Sequence, residues 1–72
     1  MNTTVLVIDA QGGGLGRQLI GAIKKDLADA EVLAVGTNSA ATTAMLKAGA
    51  DAAATGENAV VTACRRADFI IG

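Results

Sequence analysis

The sequence predicts an α/β protein: a doubly wound, three-layer, Rossmann-like parallel sheet assembled as β-α-β-α-β-α-β with strand order 3-2-1-4. Three observations predict it. Two short runs, TVLVID from Thr4 to Asp9 and EVLAVG from Glu31 to Gly36, are almost continuously apolar and rich in β-branched residues, as strands buried on both faces of a parallel sheet are. Between them apolar residues recur at every fourth position, the signature of a helix face. Short turns of Gly, Ser, Thr and Asn separate the remaining segments, with no Pro, so the connections are brief and the crossovers right-handed.

The first strand ends at Asp9 and runs into the glycines at 12, 13, 14 and 16. Leu15, Leu19, Ile23 and Leu27 then make an apolar stripe that Ile20 widens, with Arg17, Lys24, Lys25 and Asp26 mostly off it, so a helix is expected to end near Asp29. The second strand stops at Gly36-Thr37-Asn38-Ser39, which supplies turn and capping residues. A second helix is expected over Ala40 to Ala48, carrying Met45 and Leu46, with Gly49 at its C′ position. Asp51 to Thr55, DAAAT, suits strand and helix equally by composition, and the alternation assigns it as a strand. Thr55-Gly56-Glu57-Asn58 repeats the strand-to-helix turn, Ala59 to Ala67 forms a third helix with Val60, Val61 and Cys64 inward, and Asp68 to Ile71 opens a last strand before Gly72.

Composition narrows the function. Seventy-two residues are expected to form one small domain, 1–72, and a chain of that size buries only about 60% of its unfolded surface. Much of its apolar content is Ala and Phe69 is the sole aromatic, so the core is thin and association with a second copy, or with more chain, is expected. Six basic against seven acidic residues, without a basic block or an aromatic platform, argue against nucleic acid. One Cys and no His leave no internal disulfide and no structural zinc set. The first residues lack a basic segment and a long apolar run, so neither a signal peptide nor a membrane anchor is expected and a cytoplasmic location is.

The stretch VLVIDAQGGGLGRQLI, from Val5 to Ile20, has a phosphate-binding layout. Glycines let backbone N–H groups approach a ligand, and an open helix N-terminus offers donors and partial positive charge to an anion. Four glycines within five residues are costly in backbone entropy for a mere connection, so Gly12, Gly13, Gly14, Leu15, Gly16 and Arg17 are expected to contact a phosphate. In a doubly wound sheet the turns after strands share one edge, where ligands bind at the reversal of strand order. Thr37, Asn38, Thr55, Gly56, Glu57, Asn58 and Gly72 are therefore expected around the same crevice, although capping alone accounts for the polar ones. Asp9 either orients the loop or a bound cation, or bonds to nearby turn N–H groups. Arg17 either reaches the anion or is solvated. Cys64 reads as a small core residue, since no His is present to activate it, and Arg65 and Arg66 suit the C-terminal end of a helix.

Gly14-Leu15-Gly16-Arg17-Gln18-Leu19-Ile20 resembles the G-I-G-R-x-I stretch of short-chain dehydrogenases, with Gly14 and Gly16 matching the last two glycines of their T-G-x-x-x-G-x-G loop. The opening Thr-Gly is unmatched, because Ile8, Asp9 and Ala10 occupy that region, and an acid there repels a pyrophosphate unless it points away or a cation bridges it. A strict G-x-G-x-x-G is absent as well. Those enzymes work through a Y-x-x-x-K pair, and this chain has no Tyr. Where an acid for NAD or an Arg for the NADP phosphate is expected, the second strand ends in Gly36, Thr37 and Asn38. NAD(P) and other nucleotides all stay open as the cofactor. Across almost its whole length the chain also resembles a bacterial family of small, functionally uncharacterised Rossmann-like proteins, through VLVIDAQGGGLG, VGTNSAAT, AGADAAATGENAVV and ADFIIG. Members of that family continue into further strands and helices, which implies that Gly72 is a truncation point or a gene end.

Three readings follow from these residues. The first is a nucleotide- or dinucleotide-binding module without complete catalytic machinery, holding a phosphate-containing small molecule. In the second, the chain is a structural or interaction half-domain whose glycines serve packing, so that added bulk at Gly14 destabilises it. In the third it is part of an oxidoreductase completed by a C-terminal half. The exposed edge of the last strand predicts a homodimer.

Overall fold

Among the described residues seven elements alternate: β1 (Thr4–Asp9), α1 (Gly14–Asp26), β2 (Glu31–Gly36), α2 (Ser39–Lys47), β3 (Ala52–Thr55), α3 (Glu57–Cys64) and β4 (Phe69–Ile71). The computed structural model describes residues 3–72. The four strands form one parallel sheet in the order β3-β2-β1-β4, so the doubly wound α/β fold and its strand order are those expected from the sequence. β1 and β2 pair in register from Thr4 opposite Glu31 to Asp9 opposite Gly36. They occupy the middle of the sheet, which is why their sequences are apolar almost without interruption.

Side chains alternate across each strand, and this divides the core in two. Val5, Val7, Val32 and Ala34 face one side, where they pack with Ile20 of α1 and with Ala41 and Met45 of α2. Leu6, Leu33 and Val35 face the other, where α3 supplies Ala59, Val60, Ala63 and Cys64. Two helices cover the first face and one covers the second.

The helices depart from expectation in three places. α1 ends at Asp26, three residues before Asp29, and its inward face is Gly16, Leu19, Ile20 and Ile23, whereas Leu15 and Leu27 are 64% and 55% exposed. A row spaced four residues apart drifts around a helix of about 3.6 residues per turn, so its ends leave the face that its middle occupies. α3 starts at Glu57 and stops at Cys64, earlier at both ends than Ala59 to Ala67. Val60 and Cys64 point inward as expected, but Val61 is 56% exposed, because neighbouring helical residues diverge by about 100°. α2 runs Ser39–Lys47, with the Asn38 side chain accepting from the Ala41 N–H at 2.9 Å. Gly49 follows it in the left-handed conformation, φ +117°, as the C′ position requires.

Both outer strands are aligned by the same device. The Asp51 N–H donates to the Val32 carbonyl at 2.8 Å while its carboxylate accepts the Val32 N–H at 2.7 Å. Asp68 does the same to Thr4, with both contacts at 2.8 Å. Each aspartate therefore ties the start of an edge strand to its inner neighbour through two reciprocal bonds. Lys24 reinforces the first tie, donating to the Asp51 carboxylate at 2.6 Å and to the Ala30 carbonyl at 3.0 Å. The Lys24 bond, followed by the Val32 N–H, holds the Asp51 carboxyl below its ordinary pKa.

Candidate functional site

β1 leads directly into the segment of interest. Its last residue, Asp9, is buried, and its carboxylate turns back under the loop that follows. One oxygen accepts the Gln11 N–H at 2.7 Å and the other the Gly16 N–H at 2.9 Å. These two amides, with a further contribution from that of Gly13, lower the Asp9 pKa against the opposing effect of burial. Of the readings the sequence leaves open for Asp9, the structure selects the bonds to turn N–H groups. Each oxygen takes one backbone N–H, and through these bonds the carboxylate also orients the loop. Because Gly16 is the third residue of α1, the carboxylate also satisfies one of the helix's unpaired donors and partly neutralises its positive end.

The glycines of the loop divide into two kinds. Gly13 adopts φ +92°, and a Cβ there would lie 2.8 Å from the Ala44 Cβ and 3.0 Å from the Ala41 Cα. A Cβ on Gly16 would meet the Met45 Sδ at 2.7 Å and an Asp9 carboxylate oxygen at 2.9 Å. These two glycines let α1 sit against α2. At Gly12 and Gly14 a Cβ would have nothing within 4 Å, and neither has positive φ. Packing thus accounts for Gly13 and Gly16, but the destabilisation expected from added bulk at Gly14 does not follow, since a Cβ there meets open space.

Gly12, Gly14, Leu15 and Gly16 border a crevice of about 530 Å³ at the carboxyl end of β1. Ile8, Leu19 and Gly72 give it an apolar side, and Asp9, Ala10 and Gln11 complete it. β1 is the strand at which the order reverses, with β2 on one side and β4 on the other, the position at which α/β sheets bind ligands. Among the described residues, the N–H groups of Gly12, Gly14 and Leu15 donate to no protein acceptor.

The other residues expected at the crevice lie elsewhere. Gly13 is buried in the helix contact. Arg17 lines a separate groove against α2. Thr37 and Asn38 flank the loop: the Thr37 N–H donates to the Asp9 carbonyl at 3.1 Å, and the Asn38 side-chain amide donates to the Gln11 carbonyl at 2.8 Å. Thr55, Gly56, Glu57 and Asn58 do not border it. β2 stands between β3 and β1, and the Thr55 hydroxyl is instead 2.6 Å from that of Thr42 on α2, while the Gly56 N–H bonds the Gly36 carbonyl. A shared sheet edge does not make a shared pocket when the strands are two positions apart. Ile8, Gln11 and Leu19 also border the crevice, although the sequence does not mark them as site residues. Adjacency to the glycine loop points to Gln11, whereas Ile8 and Leu19 read simply as core.

The fold and this crevice define the class: a doubly wound, Rossmann-like α/β protein with a glycine-rich turn at its topological switch point. The chain belongs to the family described as a domain of unknown function, DUF3842, which it matches over residues 4–72. No curated protein and no solved structure matches it. No helix among the described residues is long and apolar enough to cross a membrane.

Replacement of Asp9 by Asn is expected to cost about 1–3 kcal/mol at neutral pH, the range for removing charge-assisted hydrogen bonds from a buried acceptor. The folded pKa lies below the unfolded value of about 3.9, so the carboxylate's contribution is complete above that value and is lost as pH falls through the folded pKa. Denaturant melts of wild type and Asp9→Asn should therefore differ at pH 7 and converge in acid.

Proposed function

We propose that the chain is a nucleotide-binding module that holds a phosphate-containing small molecule in the crevice beside β1. The observation that carries this is the pair Gly12 and Gly14: nothing in the fold needs a glycine at either position, yet both border the crevice. A missing side chain there serves close approach of a ligand to the backbone. The free N–H groups of Gly12, Gly14 and Leu15 are the donors suited to phosphate oxygens, and Ile8, Leu15 and Leu19 offer an apolar wall for a ring. The Asp9 carboxylate argues for a ligand whose phosphate lies along Gly12 to Leu15 and not over Gly16, whose N–H it already holds.

The module binds without complete catalytic machinery of its own. Asp9 is the one titratable side chain bordering the crevice among the described residues, and a carboxylate with a lowered pKa and both oxygens bonded is a poor general base. The single cysteine fits a reducing, cytoplasmic setting. Titration with NAD, NADP, FAD, AMP, ATP and nucleotide sugars, followed by amide shifts, is the test. Saturable shifts at Gln11 to Leu15 with one of these are expected, and no shift with any of them removes the proposal.

The reading includes a homodimer. β4 is an edge strand on which Phe69, Ile70 and Ile71 are all exposed, Phe69 by 62%. Register puts Ile70 beside Leu6 on one face and Phe69 and Ile71 beside Val5 and Val7 on the other, so apolar surface is bare on both sides. A symmetric contact covers such surface and pairs the strand edge. Sedimentation should find the wild type dimeric and Ile70→Lys monomeric or unfolded; a wild type that stays a folded monomer at high micromolar concentration contradicts it.

A further inference from the structure

Arg17 stands where the fold gives a cation no reason to be. It lies in the first turn of α1, whose positive end, only partly neutralised by Asp9, does not favour a cation, and that turn contains no acidic residue. Lys24 and Arg66 are paired, with Asp51 and Glu31, but among the described residues no carboxylate pairs with Arg17. Lys25, Lys47 and Arg65 are likewise without a carboxylate partner among the described residues, and of these unpaired cations Arg17 and Lys47 share a groove. Both side chains border one open groove of about 500 Å³ between the two helices, and no acidic residue lines it.

Two hydroxyls complete the groove, those of Ser39 and Thr43. Ser39, Thr43 and Lys47 are spaced four apart and so form one row along α2. Thr42 and Thr62 spend their hydroxyls on the carbonyls of Asn38 and Asn58, whereas among the described residues the Ser39 and Thr43 hydroxyls bond no protein group. Arg17 and Lys47 thus bring two cations to one groove that holds no acidic residue, where an anion gains attraction from both.

We infer that this groove is an anion site for a phosphate monoester, separate from the glycine crevice. Arg17 and Lys47 match the two charges of the dianion, and Ser39 and Thr43 donate to its remaining oxygens. The inference does not rest on the nucleotide reading, since no residue lining the groove lines the crevice.

The test is amide-shift titration of the isotopically labelled full chain with inorganic phosphate and, separately, glycerol phosphate, each against chloride at matched ionic strength. Saturable shifts at Arg17, Ser39, Thr43 and Lys47 are expected, following their own binding curve whether or not the amides of Gly12 and Gly14 also respond. Stronger binding of the ester identifies an esterified ligand, and stronger binding of the inorganic ion identifies free phosphate. Arg17→Gln and Lys47→Gln replace exposed side chains, so each should keep the wild-type spectrum and weaken binding about tenfold. Shifts that chloride reproduces, shifts confined to Gln11 to Leu15, or a double variant that binds as the wild type does would overturn the inference.

Discussion

The carboxylate of Asp9 holds the architecture of this protein's candidate site together. It lies at the end of the central strand and bonds the amides of Gln11 and Gly16, which fixes both the direction in which the loop leaves β1 and the depth at which α1 begins. From that depth follow the contact of Gly16 with Met45 and the contact of Gly13 with Ala41 and Ala44. Met45 is fully buried and belongs to the same cluster as Ile20, Val5 and Val7. One buried charge, accommodated by backbone donors, thus sets how α1 and α2 share a face of the sheet.

The same charge shapes what the site can accept. An open helix N-terminus attracts anions through its unpaired N–H groups and its dipole. Here one of those groups is already used by a carboxylate, and the donors left free, to which the proposed ligand's phosphate is assigned, are the N–H groups of Gly12, Gly14 and Leu15. The proposed ligand therefore also needs apolar contact, which the Ile8 and Leu19 side of the crevice offers. The positive charge that the loop lacks is found on the other side of α1, at Arg17.

Strand positions were legible from sequence because period and apolar content follow directly from burial in a parallel sheet. Even DAAAT, neutral in propensity, was settled by alternation, and Ala52 to Thr55 is a strand. Helix boundaries and facing were less so: Leu15, Leu27 and Val61 look like core residues in one dimension, and only the placement of three helices on two faces decides that they are not. The site was half legible. The glycine cluster marked the loop, but all four glycines read alike as letters, and the distinction between them depends on Met45, Ala41 and Ala44, which arrive from α2. For the same reason Thr55 to Asn58 could not be separated from the crevice without knowing the lateral distance between β3 and β1.

The division of the glycines is the central claim, and one experiment addresses it: thermal melts of Gly14→Ala and Gly16→Ala, each alone and with the nucleotide that moves the loop amides of the wild type. Gly16→Ala should lose about 1–3 kcal/mol through overpacking against Met45. Gly14→Ala, at an open position in the first turn of a helix, should keep or slightly raise the melting temperature while losing the ligand-induced increase that binding to the native state produces. A Gly14→Ala protein that melts lower than wild type, or that keeps the full ligand-induced increase, would contradict the account.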